Sequence, residues 1–409
     1  MLLAVRIAAG AGNVIQCGIG PARQYMKTWN AAVVGAGFIG RVHLEAIRRL
    51  GHISIRALVH PDLEKARRLA REYSVDRAET EFGAILADPA IDAVHICTPN
   101  HLHFPAAKAA LEAGKHVLCE KPLATNVADA RALVALAAAS GRRAGLCHNL
   151  RYYPVVQHMR QLCAAGELGE ILVVQGTYSQ DWLLYDTDWN WRVTSAQGGP
   201  ARAMADIGSH WFDMAEHVTG LRVSSLCADL QTFHKTRKRP KTAIETFAGK
   251  LAQPVEYDEV PVDTEDFGAV VFRMGERTRG SMTASQVSAG RKNRLSLEIY
   301  GAKGSAAWDQ ERPDELWLGQ RNVPNRILIK DPSLLEPGAR PYADLPGGHS
   351  EGYDDTFKQV FRRFYESLDN PEAAPQYPLF SDGLRQLRIV EASMESSRTR
   401  AWAEVKNER

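Results

Sequence analysis

The stretch AAVVGAGFIGRVHLEAIRRLG, residues 31–51, joins an apolar run to a turn with three glycines and then to an amphipathic segment. The apolar run predicts a buried strand. The second segment has apolar residues at helical spacing, namely Val42, Ala46, Ile47 and Leu50. Between a strand and a helix, glycines permit a tight turn, close approach of the backbone to a pyrophosphate and close helix packing. Gly35, Gly37 and Gly40 therefore predict a dinucleotide-binding turn rather than a turn without a ligand.

From about residue 29 to 149, short apolar strands continue to alternate with helical segments. Strands are predicted at ISIRALV, IDAVHICTP, HVLCE and RAGLCHN, and helices at LEKARRLAREY, PAAKAALEAG and NVADARALVALAAASG. Such alternation is typical of a parallel sheet with helices on both faces. Residues 27–149 are therefore predicted to form a doubly wound α/β domain.

The pattern changes after residue 150. A helix near 154–165, a long alternating strand and a helix near 207–219 are followed by several strands over 222–320. A Pro- and Gly-rich surface segment over 321–350 and two closing helices complete the pattern. This indicates an α+β domain over 150–409 with a large, mostly antiparallel open sheet. Residues 1–26, which run up to a second methionine, are expected to be a disordered extension.

Composition excludes several classes of protein. The chain has 409 residues, 24% of them charged, and a formal net charge of +2, which gives no reason to expect a nucleic-acid or membrane partner. The basic run HKTRKRPK (234–241) is expected to be a solvated loop. Six cysteines form no CxxC pair and no metal-like cluster, so we expect reduced thiols, no bound metal and a cytoplasmic location.

The dinucleotide is expected to be NAD, although NADP remains possible. The acidic residue that holds the ribose 2′-hydroxyl usually follows the glycine turn by about 20 residues. His60 occupies that place, and Asp62 follows two residues later. Asp62 has two possible roles, a hydrogen bond to the ribose or a cap on the next helix. No arginine stands at the strand end to pair with a 2′-phosphate.

Three strands of the first domain end in polar clusters: CTPNHLH (97–103), CEKP (119–122) and CHNLRYYP (147–154). The carboxyl ends of the strands in a doubly wound sheet face the ligand crevice, so these clusters are expected to converge beside the glycine turn. Lys121 is thereby aimed at the cofactor, where a lysine can take part in proton transfer. The alternative is an ordinary surface lysine.

A fourth cluster lies in the second domain, in DIGSHWFDMAEHVTG (206–220). Asp206, His210 and Asp213 are spaced at i, i+4 and i+7, which places them on one face if the segment is helical. Spacing alone leaves open that Asp206 is only a helix cap and that His210 is a satisfied core histidine.

Taken together, GAGFIG, TPNHLH, EKP, DIGSHWFD and the late GAKGSAAWD resemble the Gfo/Idh/MocA family of NAD(P)-dependent oxidoreductases, over residues 27 to about 405. The resemblance implies an N-terminal Rossmann domain, followed by a substrate domain whose open sheet forms a homodimer or homotetramer contact. It also implies that Lys121, Asp206 and His210 are the catalytic group. The resemblance and the glycine turn together give an expected cofactor-binding set: Gly35, Gly37, Phe38, Ile39, Gly40, His60, Asp62, Thr98, Pro99, Asn100, His103, Glu120 and Lys121.

The segment SQDWLLYDTDWNWR (179–192) is unusually aromatic. Aromatic faces beside Asp, Asn and Arg suit the mixed apolar and hydroxyl surface of a sugar ring, although core packing is the alternative for any one Trp. The pattern resembles the branch that contains inositol, levoglucosan and glucoside 3-dehydrogenases. It implies oxidation of a secondary hydroxyl of a neutral sugar, glycoside or inositol. The expected substrate contacts are Arg151, Tyr152, Trp182, Trp191, Arg192, Asp206 and His210.

Three other functions are compatible with the same scaffold. The first is a redox-assisted glycosidase or eliminating enzyme that holds NAD tightly and forms no net NADH. The second is a non-catalytic dinucleotide sensor, although such a protein tends to lack the lysine or the histidine. The third is reduction of an imine or biliverdin-like substrate, against which the aromatic segment argues.

Overall fold

The computed structural model describes residues 27–241 and 256–406. It begins with a parallel sheet in the strand order β3-β2-β1-β4-β5-β6. Its strands are β1 Trp29–Val34, β2 Ile53–Val59, β3 Arg77–Glu79, β4 Ala93–Ile96, β5 His116–Cys119 and β6 Ala144–Leu146. This order reverses between β1 and β4, so the carboxyl ends of those two strands flank the crevice where ligands bind in doubly wound sheets. The predicted α/β fold is confirmed.

Five helices cover this sheet on its two faces. They are α1 Phe38–Arg48, α2 Leu63–Glu72, α3 Phe82–Leu86, α4 His103–Glu112 and α5 Val127–Ser140. The predicted apolar face of α1 is buried, as are three further residues of that helix, Gly40, His43 and Leu44. Separate apolar clusters on the two faces hold the helices against the strands.

A mixed nine-stranded sheet follows, in the order β16-β15-β14-β13-β7-β12-β11-β8-β17, and only β12 and β7 are paired in parallel within it. Its strands are β7 Ile171–Ser179, β8 Val223–Gln231, β11 Phe267–Met274, β12 Thr278–Ser285, β13 Arg294–Gly301, β14 Ser305–Asp309, β15 Glu315–Gly319, β16 Arg326–Ile329 and β17 Ala403–Glu404. The remaining helices are α6 Pro154–Ala164, α7 Ser195–Gly198, α8 Ser209–Thr219, α9 Tyr353–Asp369 and α10 Phe380–Thr399. The mostly antiparallel sheet is therefore confirmed.

The basic run at 234–241 is not the solvated loop that the sequence predicted. It contains β9 Thr236–Pro240, which pairs antiparallel with β10 Tyr257–Pro261. Arg237 is fully buried and donates to Asp266 Oδ1 over 2.7 Å, and Arg202 pairs with the same carboxylate. This partner lies 29 residues away in the chain, so the local charge pattern gave no sign of it.

Helix α9 packs on the first sheet although it lies far beyond residue 149. Its apolar residues Phe357, Phe361 and Phe364 join the cluster formed by β1, β2 and α1. The boundary at 149/150 stays a prediction, because α9 packs on the first sheet and α10 contributes apolar residues to the clusters of both sheets.

Several other expectations concern the whole chain. Residues 1–26 lie outside the described residues. Within the described ranges, the cysteines are free thiols: Cys97, Cys119, Cys147, Cys163 and Cys227. No helix in this part of the chain is both long enough and apolar enough to cross a membrane.

Candidate active site

The glycine turn joins β1 to α1, and two of its glycines are sterically required. Gly35 has φ +110°, and a Cβ there would lie 2.4 Å from the Cys97 carbonyl oxygen. A Cβ at Gly40 would lie 2.0 Å from the Gly35 carbonyl oxygen. At Gly37, by contrast, a Cβ would meet no described atom within 4 Å. Backbone atoms therefore pack directly against Gly35 and Gly40, whereas the space beside Gly37 is open.

That open space belongs to a cavity of about 770 Å³ between the two domains. Its walls include Phe38 and Ile39 of α1 and Thr98 and Pro99 after β4, together with Arg192 from the second domain. Thr98 Oγ1 is buried and has no hydrogen-bond partner among the described residues. A cavity beside a glycine turn with an unpaired hydroxyl fits a dinucleotide, and NAD would bind here along the glycine turn.

At the end of β2 the structure shows the helix-cap role that the sequence left open for Asp62, and a hydrogen bond to the ribose stays a prediction. Its carboxylate accepts the Lys65 amide over 3.0 Å, so Asp62 caps α2 and does not line the cavity. His60 does line it, and its Nδ1 accepts the Asp62 amide over 3.0 Å. Lys65 is a further wall residue that the sequence argument did not include.

Two other members of the expected cofactor set, Asn100 and His103, do not line the cavity but connect the segments that form it. Asn100 Nδ2 donates to the Gly198 carbonyl over 2.9 Å, which ties the end of β4 to the second domain. The ring nitrogens of His103 lie 2.7 Å from the Pro122 carbonyl oxygen and 2.8 Å from the Thr98 carbonyl oxygen. His103 thus joins the loops that follow β4 and β5.

Glu120 is directed into the protein core. One of its oxygens lies 3.0 Å from His43 Nε2, and the other accepts the Lys121 amide over 3.2 Å. Burial alone would raise the pKa of Glu120, but the bond to His43 and the nearby Lys121 charge hold it below its usual value. Glu120 therefore anchors the backbone at Lys121.

The Lys121 side chain crosses from the first domain to the second. Its Nζ donates to Asp206 Oδ1 over 2.8 Å and to the Asp206 carbonyl over 2.9 Å. Asp206 lies in a wide, π-type turn, Met204–Gly208, that leads directly into α8. Both side chains are only about one-seventh exposed, at 14% and 15%. Two of the three predicted catalytic residues are therefore in direct contact.

Two more side chains hold the Asp206 carboxylate. Gln286 Nε2 donates to Oδ2 over 2.9 Å, and Arg192 Nε lies 3.5 Å from Oδ1. Burial alone would raise the pKa of Asp206, but the Lys121 and Arg192 charges and these hydrogen bonds hold it below its usual value. Asp206 therefore stays ionised. Arg192 also lines the nucleotide cavity, so it connects that cavity to the ion pair.

His210 stands one helical turn beyond Asp206 and is 7% exposed. Burial, followed by the charges of Lys121 and His148, lowers its pKa well below the usual value, so the imidazole is neutral. Its Nδ1 is buried without a hydrogen-bond partner in the described chain. A neutral imidazole beside an ammonium group is suited to accept a proton.

Three of the expected substrate contacts have other partners in this structure, and their contact with a substrate stays a prediction. Arg151 Nε donates to Asp213 Oδ2 over 2.8 Å in a buried ion pair, so neither residue faces the crevice. Tyr152 donates its hydroxyl to the Gln376 carbonyl over 2.7 Å and packs in the core. Trp182 packs on a small apolar cluster. These pairings join residues distant in sequence, which spacing does not reveal.

Trp191 and Arg192, in contrast, do line the cavity, and the Arg192 guanidinium lies 4.2 Å from the centre of the Trp191 ring. Sequence reasoning missed Gln286, which follows β12, and Tyr178 of β7, whose ring lies 6.3 Å from that of His210. Neither stands in a polar motif. Only the pairing of β12 with β7 brings both beside α8.

Comparison with known proteins agrees with this geometry. The model GFO_IDH_MocA, an oxidoreductase family with an NAD-binding Rossmann fold, matches residues 29–148. The GFO/IDH/MocA C-terminal domain model matches residues 156–307. A levoglucosan dehydrogenase from Pseudarthrobacter phenanthrenivorans is 29% identical over 394 residues, which cover 93% of this chain and 99% of the relative.

Solved structures give the same result. An oxidoreductase from Sinorhizobium meliloti is 31% identical with a TM-score of 0.76, over 92% of this chain and 99% of that chain. An inositol dehydrogenase homolog from Azotobacter vinelandii, complexed with NAD⁺, is 25% identical with a TM-score of 0.80, over 92% of this chain and 97% of that chain.

Proposed function

Because this chain belongs to the Gfo/Idh/MocA family of NAD-binding oxidoreductases, we propose that it oxidises a secondary hydroxyl of a neutral sugar, glycoside or inositol. One observation carries the proposal. The Lys121–Asp206 ion pair and the neutral His210 lie together at the junction of the domains, and Arg192 links them to the nucleotide cavity.

The side chains divide the proton chemistry between them. NAD supplies the hydride acceptor when it is bound. As the C–H bond of the alcohol breaks, the O–H bond breaks with it, and its proton passes either directly to His210 or to Lys121, which then gives one of its own ammonium protons to His210. Asp206 stays ionised, holds the ammonium in place and balances its charge. Lys121 and His210 lie close enough for the charge of the lysine to act on the imidazole, and either residue is a candidate for the group that takes the hydroxyl proton first.

The proposed substrate class rests on the charges and the aromatic surface of the second domain. Asp206 neutralises one of the two positive charges nearest to it, those of Lys121 and Arg192, so the single positive charge that remains is smaller than the charge of a phosphate group. Trp191 offers an aromatic face beside them, and such faces suit sugar rings. The levoglucosan dehydrogenase and inositol dehydrogenase relatives carry names that agree with a polyhydroxy ring.

A panel of neutral sugars, glycosides, anhydrosugars and inositols, each mixed with NAD or NADP, tests this proposal by absorbance of the reduced cofactor. We expect at least one neutral polyol to give stoichiometric NADH. An aryl glycoside that is cleaved without net NADH would favour redox-assisted glycosidase chemistry instead. No turnover with any of these compounds would contradict the proposed substrate class.

The pH dependence of oxidation follows from the neutral state of His210. Its pKa lies well below 6.5, so the base is already deprotonated across neutral pH and becomes protonated only on further acidification. We expect kcat/KM for alcohol oxidation to show no acid limb between pH 6.5 and 8 and to fall only below pH 6.5. A profile of kcat/KM over pH 5 to 9 measures this. A fall in kcat/KM on acidification that is centred near pH 7 would contradict the role of His210 as the proton acceptor.

The oligomer is proposed to form through the nine-stranded sheet. Apolar side chains are exposed on the face of three of its strands opposite to the buried residues: Val173, Val271, Ile327 and Ile329. A second copy covering this face would remove them from water.

A further inference from the structure

His148 is a buried histidine behind the ion pair, and the chemistry proposed above does not use it. It follows β6, is 1% exposed, and has a pKa lowered to about 3, first by burial and then by the Arg151 charge. The other charged groups that act on it are Asp382, Lys121 and Glu120. If the proposed function is correct, each oxidation delivers a proton into this buried region, and that proton must reach solvent.

His148 lies in ring contact with His210. The ring centres are 5.3 Å apart and the ring planes are at 87°. A second histidine pair in the same protein, His43 and His95, has centres 5.2 Å apart at 88°, and its Nδ1 atoms are 3.1 Å apart. Two imidazoles at this separation and angle are therefore close enough to share a hydrogen bond after a small rotation. The Nδ1 atoms of His148 and His210 both have no partner within the described residues.

His148 also borders a small cavity of about 10 Å³. Gln386 of α10 forms part of the wall, and its Oε1 is buried without a partner among the residues that the structure describes. A space of this size is at the lower limit for one water molecule, and such a water needs two or more polar partners. His148 Nδ1 and Gln386 Oε1 supply a pair of them.

This small cavity adjoins a groove of about 790 Å³ that lies between α5 and α10. The two spaces share the wall residues Pro122, Ala205, Leu387 and Val390. The single-water cavity is therefore a direct neighbour of a groove large enough to hold bulk solvent. The route from His210 through His148 therefore leads toward the α5–α10 groove.

We propose that His148 and one water bound between it and Gln386 carry the proton of alcohol oxidation from His210 to the α5–α10 groove. The hydroxyl proton moves to His210, and an imidazole N–H of His210 then gives up a proton to His148. His148 passes a proton to the bound water, which releases one to the groove. Both histidines return to the neutral state, and no electrons move along this path. His148 is thus a positioning residue that acts through His210.

A crystal structure of the full chain provides the first test and requires no substrate. We expect one ordered water within about 3.2 Å of both His148 Nδ1 and Gln386 Oε1, as in an ordinary hydrogen bond. A cavity without a water would overturn the route, whatever the enzyme oxidises.

Chemical rescue provides the second test, with the substrate that the panel identifies. In His148→Ala we expect slower turnover by about tenfold, less than the loss of a direct proton acceptor, and recovery when imidazole is added. In His148→Phe, the phenyl ring fills the same space, and imidazole should have no effect. A purely structural role predicts equal losses of turnover in both variants and no dependence on imidazole. That result would refute the proposal.

Gln386 supplies an independent pair of variants if His148→Ala does not fold. Gln386→Leu removes the second partner of the water, and Gln386→Glu keeps an oxygen there. We expect an indicator dye to show proton release lagging behind NADH formation in Gln386→Leu only. Simultaneous release in both variants would argue against the route. Failure of the wild-type protein to reduce NAD would instead overturn the proposed function, and the water test would still stand.

Discussion

Replacing Lys121 with methionine is expected to lower kcat by about 10²- to 10⁴-fold, the usual contribution of a positioned proton-transfer group. Methionine keeps the apolar stem but removes the ammonium that contacts Asp206 Oδ1 at 2.8 Å. Asp206 keeps Gln286 and Arg192 as partners, so the carboxylate is not left unpaired. Affinity for NADH should be unchanged because Lys121 does not line the nucleotide cavity.

The matched control is Lys108→Met. Lys108 lies on the exposed face of α4 and pairs with Glu112 over 2.6 Å. It does not line the nucleotide cavity. Surface pairs of this kind contribute little, so the control should keep wild-type kcat and stability. Steady-state kinetics and fluorescence titration with NADH measure both variants. Wild-type kcat in Lys121→Met would refute the role of the lysine.

Replacing Gly37 with valine is expected to weaken NADH binding by about 10²-fold or more without unfolding the protein. A Cβ at Gly37 meets no described atom within 4 Å, so the fold has room for the side chain. The same space is where the backbone amides must approach a pyrophosphate. Loss of two charge-assisted hydrogen bonds costs about 3 to 6 kcal/mol, which corresponds to at least a hundredfold change in affinity.

Gly83→Val is the control for this substitution. Gly83 lies at the surface on α3, and a Cβ there also meets no described atom within 4 Å. We expect both valine variants to keep the wild-type melting temperature and only Gly37→Val to lose NADH affinity. A variant at Gly40 would not separate a loss of NADH affinity from a loss of stability, since a Cβ there lies 2.0 Å from a backbone oxygen. Unchanged NADH affinity in Gly37→Val would show that the dinucleotide does not use this turn.

The parallel sheet was predictable because its signals are local. Apolar runs, helical spacing and glycines at fixed offsets are properties of short segments, and helix α1 buries the face that its spacing predicted. The burial of Arg237 in strand β9 was not predictable in this way. The basic residues of this segment indicated solvent, and the guanidinium is buried because the distant Asp266 and three backbone carbonyls accept its hydrogen bonds.

The same distinction holds for the site. Lys121 and Asp206 come from motifs that stand out in the sequence, and they do meet, across 85 residues of chain. Asp213 has the same spacing signal as His210, yet it pairs with Arg151 in the core, because one helical face spans both the crevice and the interior. Gln286 gave no signal, since a single glutamine becomes functional only through the strand pairing that brings it to Asp206.

The most direct test is a crystal structure of the wild-type protein with NADH and the sugar that the panel identifies. The account predicts a sugar hydroxyl within about 2.6 to 3.2 Å of Lys121 Nζ or a His210 ring nitrogen, with its carbon against the nicotinamide ring. A sugar whose hydroxyls all lie beyond reach of both side chains, with the nicotinamide ring directed elsewhere, would contradict it.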